Sequence, residues 1–486
     1  MVFMQLLVIQ RILGLLLVLF SFTMLPPILI GWIYDDLSLM PFVKGFFLVF
    51  IAGAVMWFPV RKRKRELRLR EGFLVVVLFW AVLGASGSAP LLFSPELNIS
   101  FVDAVFESIS GLTTTGATVI TGLDDLPKSI LFYRQQLQWL GGMGIIVLAV
   151  AILPLLGIGG IQLYRAETPG PVKDSKLTPR IKGTAKLLWI IYLTFTVACA
   201  LAYYAAGMDA FDAISHSFST VAIGGFSTHD ASMGHFSNHI IELVAVVFML
   251  LSGINFSLHF MAWRSLSLRS YHADSEFRLY GILILVLTVI CFSYLYFMHV
   301  YGSISESYYK AMFQVVSIAT TTGFTTTDYS HWPGFLPVLL IFASFVGGCA
   351  GSTGGGMKVI RILLLFKQGW REVTRLIHPS ARIAIKLNRK PVDRDVIQAV
   401  WGFFSVYIAL FVIFMLLLMA VGMDQITAFS AVAATMNNLG PGLGEVAANF
   451  KDIGDFSKWL LCLSMLLGRL EIFTLLVVLT PAFWRK

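Results

Sequence analysis

The sequence predicts an all-α polytopic membrane protein: four M1–pore-helix–M2 repeats around a pseudo-fourfold pore, plus two leading transmembrane helices. Three observations predict this. Hydrophobic residues make up 57% of the 486-residue chain and charged residues 13%, with mean hydropathy +0.80. That is more apolar surface than a soluble protein can expose. Apolar stretches of about 20 residues, the length a membrane span needs, recur along the chain. Finally, a short Thr/Gly motif returns four times in register.

The leading pair comes first, near 5–33 and 41–60, within residues 1–60. The first stretch is too long for a signal-peptide core and lacks a cleavage site, so it reads as a retained span. Arg61, Lys62, Arg63, Lys64 and Arg65, with Arg68 and Arg70, then anchor the topology and can meet anionic lipid.

Four pore repeats follow, at 61–164, 165–263, 264–366 and 367–486. Repeat one places an outer helix at 72–92, a pore helix at 101–113 and an inner helix at 134–155. The later repeats place spans near 185–206 and 239–263, near 278–300 and 335–366, and near 396–421 and 457–481. The total is about ten spans plus four re-entrant hairpins. Each repeat exceeds the period of a solenoid, so each is a small domain. With Ala104, Ala213, Ala311 and Ala428 superposed, Gly116, Gly225, Gly323 and Gly440 align without a gap.

The motifs carry the chemistry. They are Thr113-Thr114-Thr115-Gly116, Ile223-Gly224-Gly225, Thr320-Thr321-Thr322-Gly323 and Asn437-Asn438-Leu439-Gly440. A dehydrated K⁺ must regain oxygen ligands, and backbone carbonyls of four surrounding loops can supply them. Glycine lets the backbone take the angles this needs. Non-helical backbone at membrane depth is tolerated where it is buried in protein or lines a wet cavity.

Lysine and arginine set the orientation. They crowd 61–70, 165–186, 264–278 and 367–394, whereas the motif-bearing loops hold only Lys128, Lys310, Lys451 and Lys458. The positive-inside rule puts both termini in the cytoplasm and the motifs on the outer side. Acids lie on that side: Asp103, Glu107, Asp124, Asp125, Asp209, Asp212, Asp230 and Glu306. They can cap helices or form a negative vestibule that gathers cations. The net charge of +9 fits a cytoplasmic membrane surface better than nucleic acid.

Two further features suggest a gate. The stretch 345–356, with Gly347, Gly348, Gly351, Gly354, Gly355 and Gly356, interrupts the inner span of repeat three. Glycine costs a helix about 1 kcal/mol per residue against alanine, so the span breaks there into a loop that can act as a flexible plug. Close packing through small residues is the alternative. Lys358 and Arg361 mark the cytoplasmic end of the break. Arg469 falls mid-span and can project below the motifs as a positive barrier. Glu471, two residues on, lies on another helix face and needs its own partner, such as a basic residue on a neighbouring span.

Other signals have structural readings. Cys199, Cys291, Cys349 and Cys462 lack metal-ligand spacing and read as small buried hydrophobes. Gly84-Ala85-Ser86-Gly87 matches an intramembrane-protease string but has no matching histidine segment, so small-residue packing is favoured. His216 and His259 read as satisfied structural histidines. Gly157, Gly159 and Gly160 lack the βαβ context of a nucleotide site, and no nucleotide site or catalytic constellation appears.

With these residues in place, the chain resembles the Trk/Ktr/HKT superfamily of potassium transporters over essentially its whole length. It is closest to the longer bacterial pore subunits, which carry the leading pair. The stretches that carry the resemblance are 112–118, 218–226, 319–324, 347–358 and 437–442. The resemblance implies a homodimer in the bacterial inner membrane, set among membrane lipid, and a cytosolic ring of TrkA-type NAD/ATP-binding subunits that controls opening. It implies that filter carbonyls come from Thr114, Thr115, Gly116, Ile223, Gly224, Gly225, Thr321, Thr322, Gly323, Asn438, Leu439 and Gly440. It also makes the loop of repeat three and Arg469 gate elements. Glycine at all four filter positions is similar to the K⁺-selective pattern, although Ile-Gly in repeat two and Asn-Leu before Pro441 in repeat four depart from strict symmetry. A secondary K⁺ symporter coupled to H⁺ or Na⁺ is the alternative, since broken helices also suit alternating access. An intramembrane hydrolase using Ser86 is the third reading.

Overall fold

The computed structural model describes residues 6–36, 38–62, 69–147, 181–388 and 390–485. The end of the inner helix expected at 134–155, the loop at 165–180 and the glycines at 157–160 lie outside these residues. The rest is almost wholly helical. A two-residue hairpin, Lys386–Leu387 against Lys390–Pro391, is a small addition that the sequence did not suggest.

Among the described residues six helices are long and apolar enough to cross a membrane: Leu6–Ile33, Leu39–Val60, Glu71–Leu92, Lys186–Ala205, Ser275–Phe297 and Arg394–Ala420. The first two are the leading pair and the others are the outer helices of the repeats. The pair packs through glycine. A Cβ on Gly14 would stand 2.6 Å from the Trp57 amide nitrogen, and one on Gly53 2.7 Å from that of Val18. Small residues let two apolar helices approach where no hydrophobic drive separates protein from lipid.

The inner helices depart from the expectation of single spans at 239–263 and 457–481. His239–Ser252 and Phe256–Ser265 meet at 93°, and Asp455–Arg469 and Phe473–Leu479 meet at 118°. Repeat three breaks as expected, between Leu336–Val346 and Val359–Ile377. Breaking is therefore a property of repeats two, three and four alike, and only the glycine-rich filling of the gap is special to repeat three. Each break has a local cause. Asn255 caps the second half-helix of repeat two by accepting the Ser257 N–H at 2.8 Å. In repeat four, Glu471 and Ile472 take left-handed angles, φ 54° and 48°, and turn the chain. Arg469 thus stands at the C-terminal end of a half-helix, where the helix dipole favours a cation, rather than mid-span.

The short helices are Phe101–Leu112, Ala210–Ala222, Ile304–Ala319 and Gln425–Met436. Their C-terminal halves are largely buried, whereas Phe101, Ile304 and Ile426 at their N-terminal ends are exposed. Gly84 and Gly87 seat the first: an added Cβ would lie 2.9 Å from Ile109 Cγ1 and 2.4 Å from Ser108 Oγ. The protease-like string is packing, as expected. All four cysteines are buried and free.

Candidate functional site: four glycine steps and the layer beneath them

Each short helix starts and stops in the same way. Ser100, Asp209 and Ser303 accept the amides of Asp103, Asp212 and Glu306 at 3.1, 2.7 and 3.1 Å. Asp424 accepts those of Ile426 and Thr427 at 2.9 and 3.0 Å. Side-chain oxygens thereby satisfy the orphan N–H groups of each first turn. At the other end, the amides of Thr115, Gly224, Thr322 and Leu439 reach back to the carbonyls of Ser110, Ser219, Ser317 and Ala434 at 2.9, 2.8, 2.7 and 2.7 Å. This is the wide helix-ending bond of a Schellman turn.

The residue inside that turn is left-handed in every repeat: Thr114, Ile223, Thr321 and Asn438, at φ 51°, 55°, 69° and 54°. Glycine is the usual occupant. An L side chain there costs about 1–2 kcal/mol, and β-branched threonine and isoleucine tolerate it worst. Strain repeated at four equivalent positions marks a geometry that is held for a purpose.

The next step closes a ring. Gly116, Gly225, Gly323 and Gly440 all have positive φ, at 82°, 80°, 85° and 102°. A Cβ on Gly116 would lie 2.2 Å from the Gly224 carbonyl oxygen, one on Gly225 2.0 Å from that of Thr322, one on Gly323 2.1 Å from that of Leu439, and one on Gly440 2.8 Å from that of Thr115. Each repeat leans on the next, and the fourth returns to the first. A cavity of about 460 Å³ opens on this ring, lined by all four glycines and by Arg134, Ser227, His229 and Asp230 among others.

The ring is not strictly fourfold. Thr113 and Thr115 hydroxyls lie 2.7 Å apart, and Thr320 and Thr322 hydroxyls 2.8 Å apart. Repeats two and four have no such pair. Gln138 Nε2 donates to the Gly224 carbonyl at 2.6 Å, while its Oε1 accepts the Phe226 amide at 3.1 Å. The side-chain contacts of Gln138 and Asn438 have no sequence signature, because they join elements far apart in the chain.

A second layer lies against the ring. It consists of the 347–358 loop and Arg469. The loop touches three repeats. Thr353 Oγ1 donates to the Val221 carbonyl at 3.0 Å, Gly355 N–H to Thr321 Oγ1 at 2.6 Å, and Gly356 N–H to the Asn437 carbonyl at 3.0 Å. Arg469 touches the remaining repeat, donating to Thr114 Oγ1 at 2.6 Å and to the Thr353 carbonyl at 3.3 Å. Asn438 Nδ2 meanwhile donates to Thr115 Oγ1 at 2.9 Å. Arg469 is only 6% exposed, its Nε has no partner, and no carboxylate lies within ion-pair distance of it among the described residues. It is a buried positive charge pressed against the ring.

The glycine loop is tied at several points. Glu276 Oε1 accepts the amides of Ala350 at 2.7 Å and Ile360 at 3.1 Å. The Cys349 N–H reaches the Gly253 carbonyl at 2.8 Å, and the Phe256 N–H reaches that of Gly351 at 3.1 Å. Its glycines serve close approach: a Cβ on Gly355 would stand 2.0 Å from the Asn437 carbonyl oxygen. Arg361 follows the break. It is 3% exposed and donates to Glu471 Oε2 at 2.8 Å. That supplies Glu471 with a basic partner on a neighbouring helix.

The acids of the motif side are mostly consumed by structure. Glu107 is buried, 2.8 Å from Arg134 Nε, and accepts the Val119 amide at 2.9 Å. His216 and Gln314 occupy the equivalent positions of their repeats and tie down the same descending segment, through Ser227 Oγ at 3.0 Å and the Thr326 amide at 3.2 Å. His216 is thus structural, and so is His259, held by Tyr271 and the Leu251 carbonyl. Asp103 pairs with Lys458 at 2.6 Å, and Asp230 accepts the amides of Gly122 and Leu123 at 3.1 and 2.8 Å. Asp124 lies 2.5 Å from His229, whose hydrogen bond holds the carboxyl below its usual range. Burial disfavours the charged His229, but hydrogen bonds to Asp212 and Asp124 outweigh this and raise its pKa above 6.5.

Comparison with known proteins agrees with this architecture. The family model for TrkH, described as a cation transport protein, matches residues 38–486. The chain is 62% identical over 478 residues to the Trk system potassium uptake protein TrkH of Vibrio parahaemolyticus, covering 98% of this chain and 99% of that protein. It is 58% identical to the protein of the same name from Escherichia coli K12, with the same coverage. The crystal structure of the potassium transporter TrkH from Vibrio parahaemolyticus superposes with a TM-score of 0.92 at 59% identity, covering 99% of this chain and 100% of that one.

Proposed function

The chain belongs to the TrkH family of cation transport proteins, and from that premise we propose that it takes up K⁺ across the bacterial inner membrane through the ring of four glycine steps. The observation that carries this reading is the cyclic closure of the ring, in which each glycine abuts a carbonyl of the next repeat. Carbonyl oxygens from four sides can replace the water that a K⁺ sheds. The filter is assigned to Thr114, Thr115, Gly116, Ile223, Gly224, Gly225, Thr321, Thr322, Gly323, Asn438, Leu439 and Gly440, and the cavity of about 460 Å³ is its outer vestibule.

Arg469 and the loop bearing Gly347, Gly348, Gly351, Gly354, Gly355 and Gly356 form the gate. Two unit charges 4 Å apart repel by about 4 kcal/mol at an effective dielectric of 20. A buried guanidinium beside Thr114 therefore opposes a cation leaving the ring by that order. Opening requires the loop and Arg469 to withdraw, and a TrkA-type NAD/ATP-binding cytosolic ring drives this on a homodimer whose termini are cytoplasmic. The Trk system naming of the relatives supports a separate partner subunit.

The test is ⁸⁶Rb⁺ uptake into proteoliposomes with K⁺ or Na⁺ as competitor, in the wild type and in Gly116→Ser and Gly323→Ser. The proposal expects uptake that K⁺ blocks and Na⁺ does not, altered by either substitution. Uptake indifferent to both glycines overturns it. The bent inner helices also suit a coupled symporter, and uptake that requires a H⁺ or Na⁺ gradient would favour that reading.

A further inference from the structure

Outside the ring and its gate, one side-chain cluster among the described residues has metal-ligand composition. Asp124, in the turn Leu123–Asp125 after the first motif, meets His229 and His235, in the segment after the second. One ligand atom from each lies within 4.8 Å of the others. The two imidazoles stack with centroids 3.5 Å apart and planes at 3°. His229 Nδ1 faces Asp124 Oδ1 at 2.5 Å, and its Nε2 faces Asp212 Oδ2 at 3.0 Å. Asp212 is in turn held by the Thr228 hydroxyl at 2.7 Å. This is how metal-binding histidines are built: one nitrogen points to the ion and the other donates to a carboxylate that fixes its tautomer.

We infer that Asp124, His229 and His235 form a Zn²⁺-class site at the vestibule mouth, where a bound ion restricts K⁺ entry. Two imidazole nitrogens and one carboxylate oxygen select Zn²⁺, Ni²⁺ or Cu²⁺ over Ca²⁺ and Mg²⁺, which take oxygen cages. Asp124 and His235 are exposed, so His235 can turn out of the parallel stack to aim its in-plane nitrogen at the ion while His229 stays held by Asp212. Water completes the tetrahedron. His229 and Asp230 line the cavity above the ring, so the ion's charge sits beside the entering K⁺. It also ties repeat one to repeat two. The inhibitory role rests on the pore reading, whereas the site itself does not.

Isothermal calorimetry of the full chain with Zn²⁺, alongside Zn²⁺ titration of ⁸⁶Rb⁺ uptake, tests both parts. One equivalent should bind per chain, Ca²⁺ should not compete, and His235→Ala and Asp124→Asn should each weaken binding roughly tenfold or more. Inhibition of uptake should shift by the same factor, with uptake by His235→Ala in the absence of Zn²⁺ unchanged and the thermal unfolding of both variants unchanged as the controls for folding. Equal Zn²⁺ binding in the wild type and both variants overturns the site. Binding that the variants lose, with wild-type uptake indifferent to Zn²⁺, overturns its role in ion entry. A chain that binds Zn²⁺ but carries no ⁸⁶Rb⁺ even with Arg469→Ala overturns the pore reading and with it that role, leaving the site supported.

Discussion

The ring and the layer against it are built on opposite plans. The ring is made four times from one local recipe: an N-capped short helix, a left-handed residue, then a glycine with φ of 80–102°. The layer is made once, from the 347–358 loop of repeat three and Arg469 of repeat four. Yet that single layer reaches all four repeats, through Val221, Thr321, Asn437 and Thr114. A symmetric part suits an ion, which has no preferred side. An asymmetric part suits a control, because one movement can release every contact together.

The largest effect that separates the two regions comes from the ring. Gly225→Ala places a Cβ 2.0 Å from the Thr322 carbonyl oxygen at a φ of 80°. With no room and the wrong backbone angle, ⁸⁶Rb⁺ uptake falls to background, and the matching change at Gly323 does the same. Survival of uptake in both would break the comparison. Second comes the layer. Arg469→Ala removes a buried charge from beside Thr114, and basal uptake by the chain alone rises at least tenfold, since about 1.4 kcal/mol of the repulsion of about 4 kcal/mol that is lost suffices for that. A fall instead would make Arg469 part of the ring's support.

Glu276→Gln acts on the same layer at one remove. The carboxylate accepts the loop amide of Ala350 and the amide of Ile360 in the first turn of the following helix, and a charged acceptor bonds about twice as strongly as a neutral one. Hydrogen exchange across 349–360 should quicken while the ring amides stay protected. Next, the Arg361–Glu471 pair joins the two halves of the layer. A double-mutant cycle on thermal unfolding, using Arg361→Met and Glu471→Gln, should return a coupling of about 1 kcal/mol. Additive effects would separate the loop's helix from the repeat-four hinge. The smallest effect sharpens the ring itself. Gln138→Leu frees the Gly224 carbonyl from its donor, and the Rb⁺ to K⁺ preference should shift by a few fold with little change in total uptake.

What could be read in the sequence follows the same division. The ring was legible because its recipe is local and repeated: Gly116, Gly225, Gly323 and Gly440 align by counting alone. The spans and the repeat-three break were legible from composition. The layer was only half legible. Arg469 and the glycine run stood out, but their meeting at Thr353 joins residues far apart in sequence, with no periodic signal. The bends in repeats two and four escaped because Asn255 and the pair Glu471 and Ile472 break a helix through a cap and through backbone angles, without changing hydropathy. Glu107 reads in the sequence as a cap or a vestibule acid, whereas its pairing with Arg134 joins residues that no local pattern links.

The claim that the ring is the ion path is tested most directly by diffraction from crystals grown in Rb⁺, using its anomalous signal. The account predicts Rb⁺ peaks on the axis enclosed by Gly116, Gly225, Gly323 and Gly440, with none on the gate side of Arg469. Peaks at the helix breaks of repeats two and four, with an empty ring, would contradict it and place the ion in a transporter-like site.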